Sequence, residues 1–252
     1  MTEGTALLLA NHLHELKLGA ILRQYPSLVR QARETGQDYE EFLLTLAETE
    51  IRTENRLKRR IRDARFPLLK TFEQYRYESA PDLDRRLIEE LKTGRYIQER
   101  RNVIFTGKTG TGKTHLAIAL GIEACRQGIR SRFVTGSELV NELVESRSER
   151  ILSRSIQRFA KSGLLILDEL GYVPFSKEGA QLLFQVMADR YERGSMIVTT
   201  NLGFADWTQL FGDPTLTAAL LDRLTHNAFI VNCNWESYRL QESLKKKKKT
   251  AH

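Results

Sequence analysis

Residues 107–114, GKTGTGKT, fit the spacing G-x-x-x-x-G-K-[ST] once. The Gly-Lys-Thr triplet occurs twice, but the first copy would need a glycine at position 102, where the chain has Asn102. Gly112, Lys113 and Thr114 therefore close the loop. Glycines at 107, 110 and 112 let main-chain N–H groups reach phosphate oxygens with no Cβ in the way. Lys113 is expected on the β- and γ-phosphates, and the Thr114 hydroxyl on Mg²⁺. The run Gly107, Lys108, Thr109, Gly110, Thr111, Gly112, Lys113 and Thr114 is thus the expected ATP cradle, with ATP and Mg²⁺ as cofactors.

Four further residues are expected to supply hydrolytic chemistry. LLILDE places Asp168 and Glu169 at the end of an apolar run. Asp168 is the expected Mg²⁺ carboxylate and Glu169 the general base for the attacking water. A small-molecule kinase needs no base for water, so paired acids favour hydrolysis. Asn201 ends another apolar run, MIVTTN, and is placed to orient the same water. Arg223, in LLDRLTHNAF, lies far from the loop in sequence and is the candidate arginine finger, offered to a neighbouring subunit.

These residues need a scaffold that gathers strand ends. From about residue 80 the sequence alternates strand and helix, which predicts a parallel sheet with crossover helices. NVIFTG, SRFVTG, LLILDE, MIVTTN and AFIVNC read as its strands, and GKTHLAIALGIEACRQG as loop end and helix. Ligands of such sheets bind outside the carboxyl ends of the strands. Residues 1–65 read as helical. Phe42, Leu43, Leu46, Ala47, Ile51, Leu57, Ile61 and Ala64 recur at steps of three and four, and the later part of that stretch is strongly basic. The expected division is a helical domain over 1–66, a linker over 67–80, a nucleotide-binding domain over 81–240 and a basic tail over 241–252.

The 252 residues carry a formal charge of +7, of which Lys245–Lys249 supply five. A nucleic-acid argument must therefore rest on where charges sit. Cys125 and Cys233 lie far apart with no zinc spacing, which suits thiols in a reducing cytosol. No run is long and apolar enough for a membrane span and no signal segment opens the chain, so a cytoplasmic protein is expected.

With these residues assembled, the chain resembles an AAA+ ATPase of the DnaA/DnaC/IstB group, and within it the IstB-like helper ATPases of insertion elements. NVIFTGKTGTGKTHLAIALG, LLILDELGYVPFSKEGAQLLFQV and DRLTHNAFIVNCNWESYR carry the likeness. LAETEIRTENRLKRRIRDARFPLLKTFEQY points to the IstB-like branch. The resemblance implies an α/β P-loop AAA+ fold, a parallel sheet with flanking helices preceded by a small all-helical domain. Gly107–Thr114 would be Walker A, Asp168 and Glu169 Walker B, Asn201 sensor 1, and Arg223 a finger acting across subunits. Arg239 matches the sensor 2 position, although only about twenty residues follow the last strand, which implies a truncated C-terminal lid.

Between the second strand and Walker B lie about 27 residues, where the resembling group carries an inserted helix that meets DNA. Arg147, Arg150, Arg154 and Arg158 are spaced three, four and four apart. On one continuous helix they fall within about 60° of each other, with Ile151, Leu152, Ile156 and Phe159 opposite. Contacts to the phosphate backbone of double-stranded DNA, nearly blind to sequence, are expected there. The basic helix at 52–65 is a second candidate, and the resemblance assigns the N-terminal module to docking a transposase. The expected function is an ATPase that self-assembles as a ring or spiral on target DNA and presents it to a transposase, with hydrolysis resetting the complex. A helicase loader of the DnaC type shares every nucleotide-site residue. A nucleoside or shikimate-type kinase explains the loop but leaves Glu169, Asn201 and Arg223 without roles.

Overall fold

The computed structural model of the chain describes residues 3–172 and 174–238. Its contacts divide it into Met1–Arg59 and Arg60–His252. The division falls inside a helix, earlier than the expected domain end at residue 66.

The first unit holds α1 (Glu3–Glu15), α2 (Gly19–Thr35) and most of α3 (Tyr39–Ala64). Leu18 offers α2 no side-chain cap. Glu50 of α3 supplies one from a distance: its Oε2 accepts from the N–H groups of Ala20 at 2.9 Å and Ile21 at 3.0 Å. A carboxylate there satisfies two orphan donors and complements the helix dipole. The amphipathic pattern of α3 is only partly used, because Leu43, Leu44 and Ile51 are exposed.

In the second unit, residues 67–80 are more than a connector. They form two single-turn 3₁₀ helices, Phe72–Gln74 and Tyr77–Ser79, and bury Phe72 and Ala80 in one core with Leu83, Ile88 and Leu91. Aromatic side chains that bury apolar area against a domain become part of it. The helices α4 (Arg85–Lys92) and α5 (Arg95–Gln98) follow, α4 capped by Asp84, whose Oδ1 accepts from Arg86 and Leu87.

Five parallel strands form the sheet: β1 (Asn102–Thr106), β2 (Ser131–Thr135), β3 (Leu164–Leu170), β4 (Ser195–Thr200) and β5 (Ala228–Asn232). Their order is β2-β3-β4-β1-β5. Each expected strand matches to within a residue or so, because runs buried on both faces of a parallel sheet read as continuous apolar stretches. Leu164 and Ile166 join the core on one face, with Leu116 and Leu120 of α6 (Lys113–Arg126). Leu165 and Leu167 join the other. There they meet α7 (Gly136–Ser148), α8 (Leu152–Ala160), α9 (Lys177–Arg190), α10 (Trp207–Phe211) and α11 (Pro214–Thr225). Connections from neighbouring β1 and β4 thus leave to opposite faces, and ligands of such sheets bind outside the carboxyl ends of strands at that point. Among the described residues no helix is long and apolar enough to cross a membrane.

Candidate nucleotide site

Register brings the chemistry-bearing residues to one level. Thr106 of β1 lies beside Thr200 of β4, and Thr135 of β2 beside Asp168 of β3. The loop leaves β1 at Gly107, whose N–H donates to the Thr200 carbonyl at 3.3 Å. Asn201 follows directly in chain and is exposed. Its Oδ1 lies about 3.2 Å from where a Cβ on Gly171 would stand, so its side chain faces the turn after Glu169.

The loop is cramped as well as glycine-rich. Gly107 has φ +131°, and a Cβ there would stand 2.3 Å from the Cys233 carbonyl oxygen. Gly110, at φ +82°, would place one 2.1 Å from Ser237 Oγ. At Gly107 a side chain would displace the segment after β5, and at Gly110 it would meet the Ser237 hydroxyl and strain a left-handed backbone. Lys113 is buried, and its ammonium donates to the carbonyls of Gly107 at 2.7 Å and Lys108 at 2.6 Å. The cation is thereby held inside the curve of the loop.

Across from the loop, Asp168 is 3 % exposed. Its Oδ1 accepts from Thr114 Oγ1 at 2.9 Å and from Thr199 Oγ1 at 2.5 Å. Burial raises its pKa above the ordinary carboxylate value, and the two hydroxyls, the Glu169 N–H and Lys113 pull it back. The next residue escapes burial through backbone geometry. Glu169 adopts φ +57°, the ladder between β3 and β4 shifts between Leu167 and Leu170, and the Glu169 side chain is exposed. Its N–H donates to Thr199 Oγ1 at 3.0 Å, so one hydroxyl holds both acidic residues in place.

A hydroxyl and a carboxylate converging beside a curl of main-chain N–H groups fit a nucleotide with a hard divalent cation, which takes oxygen ligands. ATP would be held by Gly107–Thr114, and Mg²⁺ by Thr114 and Asp168.

The description of the IstB-like ATP binding proteins matches residues 11–246. A protein of Pseudomonas aeruginosa, named for ATP binding in insertion sequence IS21, is 40% identical over 235 residues, which are 92% of this chain and 89% of that one. A counterpart named for insertion sequence IS5376, from Geobacillus stearothermophilus, is 37% identical over 91% of this chain and 92% of its own. The chain belongs to the IstB-like ATP binding protein family.

Solved structures share the fold of this IstB-like chain. DnaI superposes with a TM-score of 0.55 at 19% identity, covering 65% of this chain and 90% of that one. AMPPCP-bound DnaA of Aquifex aeolicus gives 0.54 at 19% identity, over 70% of this chain and 55% of DnaA. Both likenesses are of the fold.

Arg223 lies away from its own loop. It is in the last turn of α11, and the neighbouring Leu224 carbonyl accepts from Asn102 Nδ2 at 3.0 Å, at the start of β1. The phosphate loop leaves the other end of that strand. The Arg223 guanidinium stacks 4.9 Å over the Phe184 ring and forms no ion pair with Asp222 or any other acid among the described residues. Arg239 and the lysine run lie outside the described residues.

The arginine stripe is corrected. One continuous helix through Ser148 was expected, but α7 ends at Ser148 and α8 begins at Leu152. Arg150 takes φ +60° at the break, so the four arginines do not share one helix face. Arg147 pairs with Glu178 at 3.1 Å, and Arg158 pairs with Glu142 and lies over the Phe159 ring. Ile151 is exposed, whereas Ile156 and Phe159 are buried as expected.

Sequence reasoning missed the wall that leans on the loop. Trp235 Nε1 donates to the Thr111 carbonyl at 2.9 Å, and the Tyr238 N–H to the Gly110 carbonyl at 3.0 Å. Tyr75 reaches the Thr111 carbonyl at 3.5 Å and packs edge-on against His115. The aromatic content of these two segments was the available signal. It missed Thr199 too, since a threonine in a β-branched strand reads as strand propensity.

Proposed function

We propose that this chain is a Mg²⁺-dependent ATPase that assembles on double-stranded DNA and presents it to a transposase. The observation that carries the nucleotide chemistry is the Thr114–Asp168–Thr199 cluster, with Glu169 turned out of the sheet beside it. Main-chain N–H groups of the loop and the Lys113 ammonium bind phosphate oxygens. Mg²⁺ would supply charge neutralisation on those oxygens. Glu169 accepts a proton from the attacking water at its exposed carboxylate, and the Asn201 amide orients that water. Arg223 completes the site of a second copy, a role supported by its place at the far end of β1.

The transposition reading draws its support from the insertion-sequence names of the relatives. ATP favours the assembled state over the free protomer, which is a population shift, and hydrolysis reverses it. The test is phosphate release and filament or ring formation by the full chain with ATP and Mg²⁺, on double-stranded, single-stranded and no DNA. Turnover and assembly stimulated by duplex DNA are expected. Stimulation by single strands alone would favour the helicase-loader alternative, and absence of turnover in every arm would overturn the ATPase.

A further inference from the structure

Arg65 and Arg158, from the two basic segments that the sequence offers separately, both act on an arginine that neither segment contains. Arg132 lies on β2, one of the two edge strands of the sheet. Its Nη1 is 3.5 Å from the carbonyl of Asp63, two residues before Arg65 at the end of α3. Phe66 packs edge-on against Phe133 with ring centroids 6.3 Å apart, which pins that chain end beside the strand. Arg158 lies on α8, the helix that leads into β3. The charges of Arg65 and Arg158 both bear on Arg132, and with burial as the larger cause they bring its pKa down to about 10. Arg65 also lowers that of Arg158, again after burial.

Local acids offset only part of this charge. Glu142 is taken by Arg158, and the Asp63 carboxylate by Arg62 at 3.2 Å. Glu138 partly offsets the charge on Arg132, but its carboxylate is committed to the N-terminus of α7 through the Thr135 N–H and hydroxyl. Arg132 Nε has no hydrogen-bond partner, and Arg65 forms no ion pair among the described residues. A cluster of cations with fewer acids than it needs for balance favours a counter-charge from outside. Arg62 of α3, Arg130 just before β2 and Arg154 of α8 are exposed nearby in chain.

We infer that Arg65, Arg132 and Arg158 form one phosphate-binding surface on the β2 edge that takes the backbone of double-stranded DNA. It rests on the DNA-binding reading above and replaces the single-helix stripe as its geometry. The cations come from three elements along an open edge, which suits a chain of phosphates better than one enclosed anion. Guanidinium groups bind such oxygens bidentately and without regard to base sequence.

The test uses the full chain with ATP and Mg²⁺ and fluorescence anisotropy on a random-sequence duplex across a salt series. Arg132→Gln removes the central charge. Arg65→Asn and Arg158→Gln remove exposed ones, asparagine being chosen because Arg65 has φ +58°. Each variant is expected to bind DNA about three- to tenfold more weakly near physiological salt. Each is also expected to have a log–log salt slope shallower by about 0.9, with ATP affinity unchanged. Variants that match the wild-type slope while the wild type binds DNA overturn the surface alone. A wild type that does not bind duplex DNA overturns the reading beneath it as well. Should Arg132→Gln fold poorly, the two exposed variants decide the matter.

Discussion

Asp168 carries a conflict between stability and use. Its carboxylate is buried, so its pKa stands above that of an unfolded aspartate. A raised acid contributes stability in the acid range and loses it as pH climbs through the folded value, so at neutral pH the ionised group costs free energy. Asp168→Asn is expected to raise Tm at pH 7–8 by about 2–4 °C per kcal/mol relieved. The advantage should shrink as the pH is lowered toward the ordinary carboxylate range, while Mg²⁺-dependent ATP turnover is lost. Melting curves across pH check this, and a wild type more stable at neutral pH would contradict it. Thr199 makes a second test. Thr199→Val leaves the Glu169 N–H without its acceptor and Asp168 without a donor. A cost of about 1–3 kcal/mol in stability is expected, with kcat falling more than ATP affinity and Thr199→Ser restoring both. Glu169→Gln should keep ATP binding and DNA assembly but stop phosphate release, and unchanged release would remove Glu169 as the base.

At the scale of elements, the strands were legible and the break after α7 was not. Apolar runs with β-branched residues announce a two-sided sheet whatever surrounds them. The break has no glycine or proline to announce it. Arg150 takes the left-handed position instead, its N–H donating to the Arg147 carbonyl and that of Ile151 to the Ser146 carbonyl, as in a Schellman turn. Tertiary contacts compensate: Ser146 and Ser155 share a buried hydroxyl bond at 2.7 Å, and α8 turns to bury Ile156 and Phe159. The far end of α8 is held by Arg190, which is 1 % exposed. It donates to the carbonyls of Phe159 at 2.6 Å, Ser162 at 2.9 Å and Ser195 at 2.7 Å. Arg190→Leu strands those acceptors and should cost at least about 3 kcal/mol, or about 6–12 °C in Tm. A shift under about 2 °C in thermal melting would show that water replaces the guanidinium.

For the whole molecule, the role proposed for Arg223 lies at the nucleotide of a second copy. Its own loop is at the opposite end of β1, so its loss should be felt at a neighbour's nucleotide. Arg223→Ala is expected to reduce ATP turnover by about 10³-fold or more. Mixing it with Lys113→Ala should recover part of the activity, because one interface in the mixture joins an intact loop to an intact finger. Phosphate release from the mixture measures this. No recovery in assemblies shown to contain both variants would argue against a role in trans.

The sequence by itself determined the phosphate loop, the paired acids, the strand order along the chain and the family, because each is local: a spacing, a periodicity or an apolar run. Only the tertiary structure decided which distant groups meet. It put Thr199 under both acids, laid Trp235, Tyr238 and Tyr75 against the loop, and broke the arginine helix. It also brought Arg65, Arg132 and Arg158 to one edge of the sheet. Those meetings depend on strand register and on how helices turn to bury their apolar faces, and neither is written in the spacing of the residues that end up together.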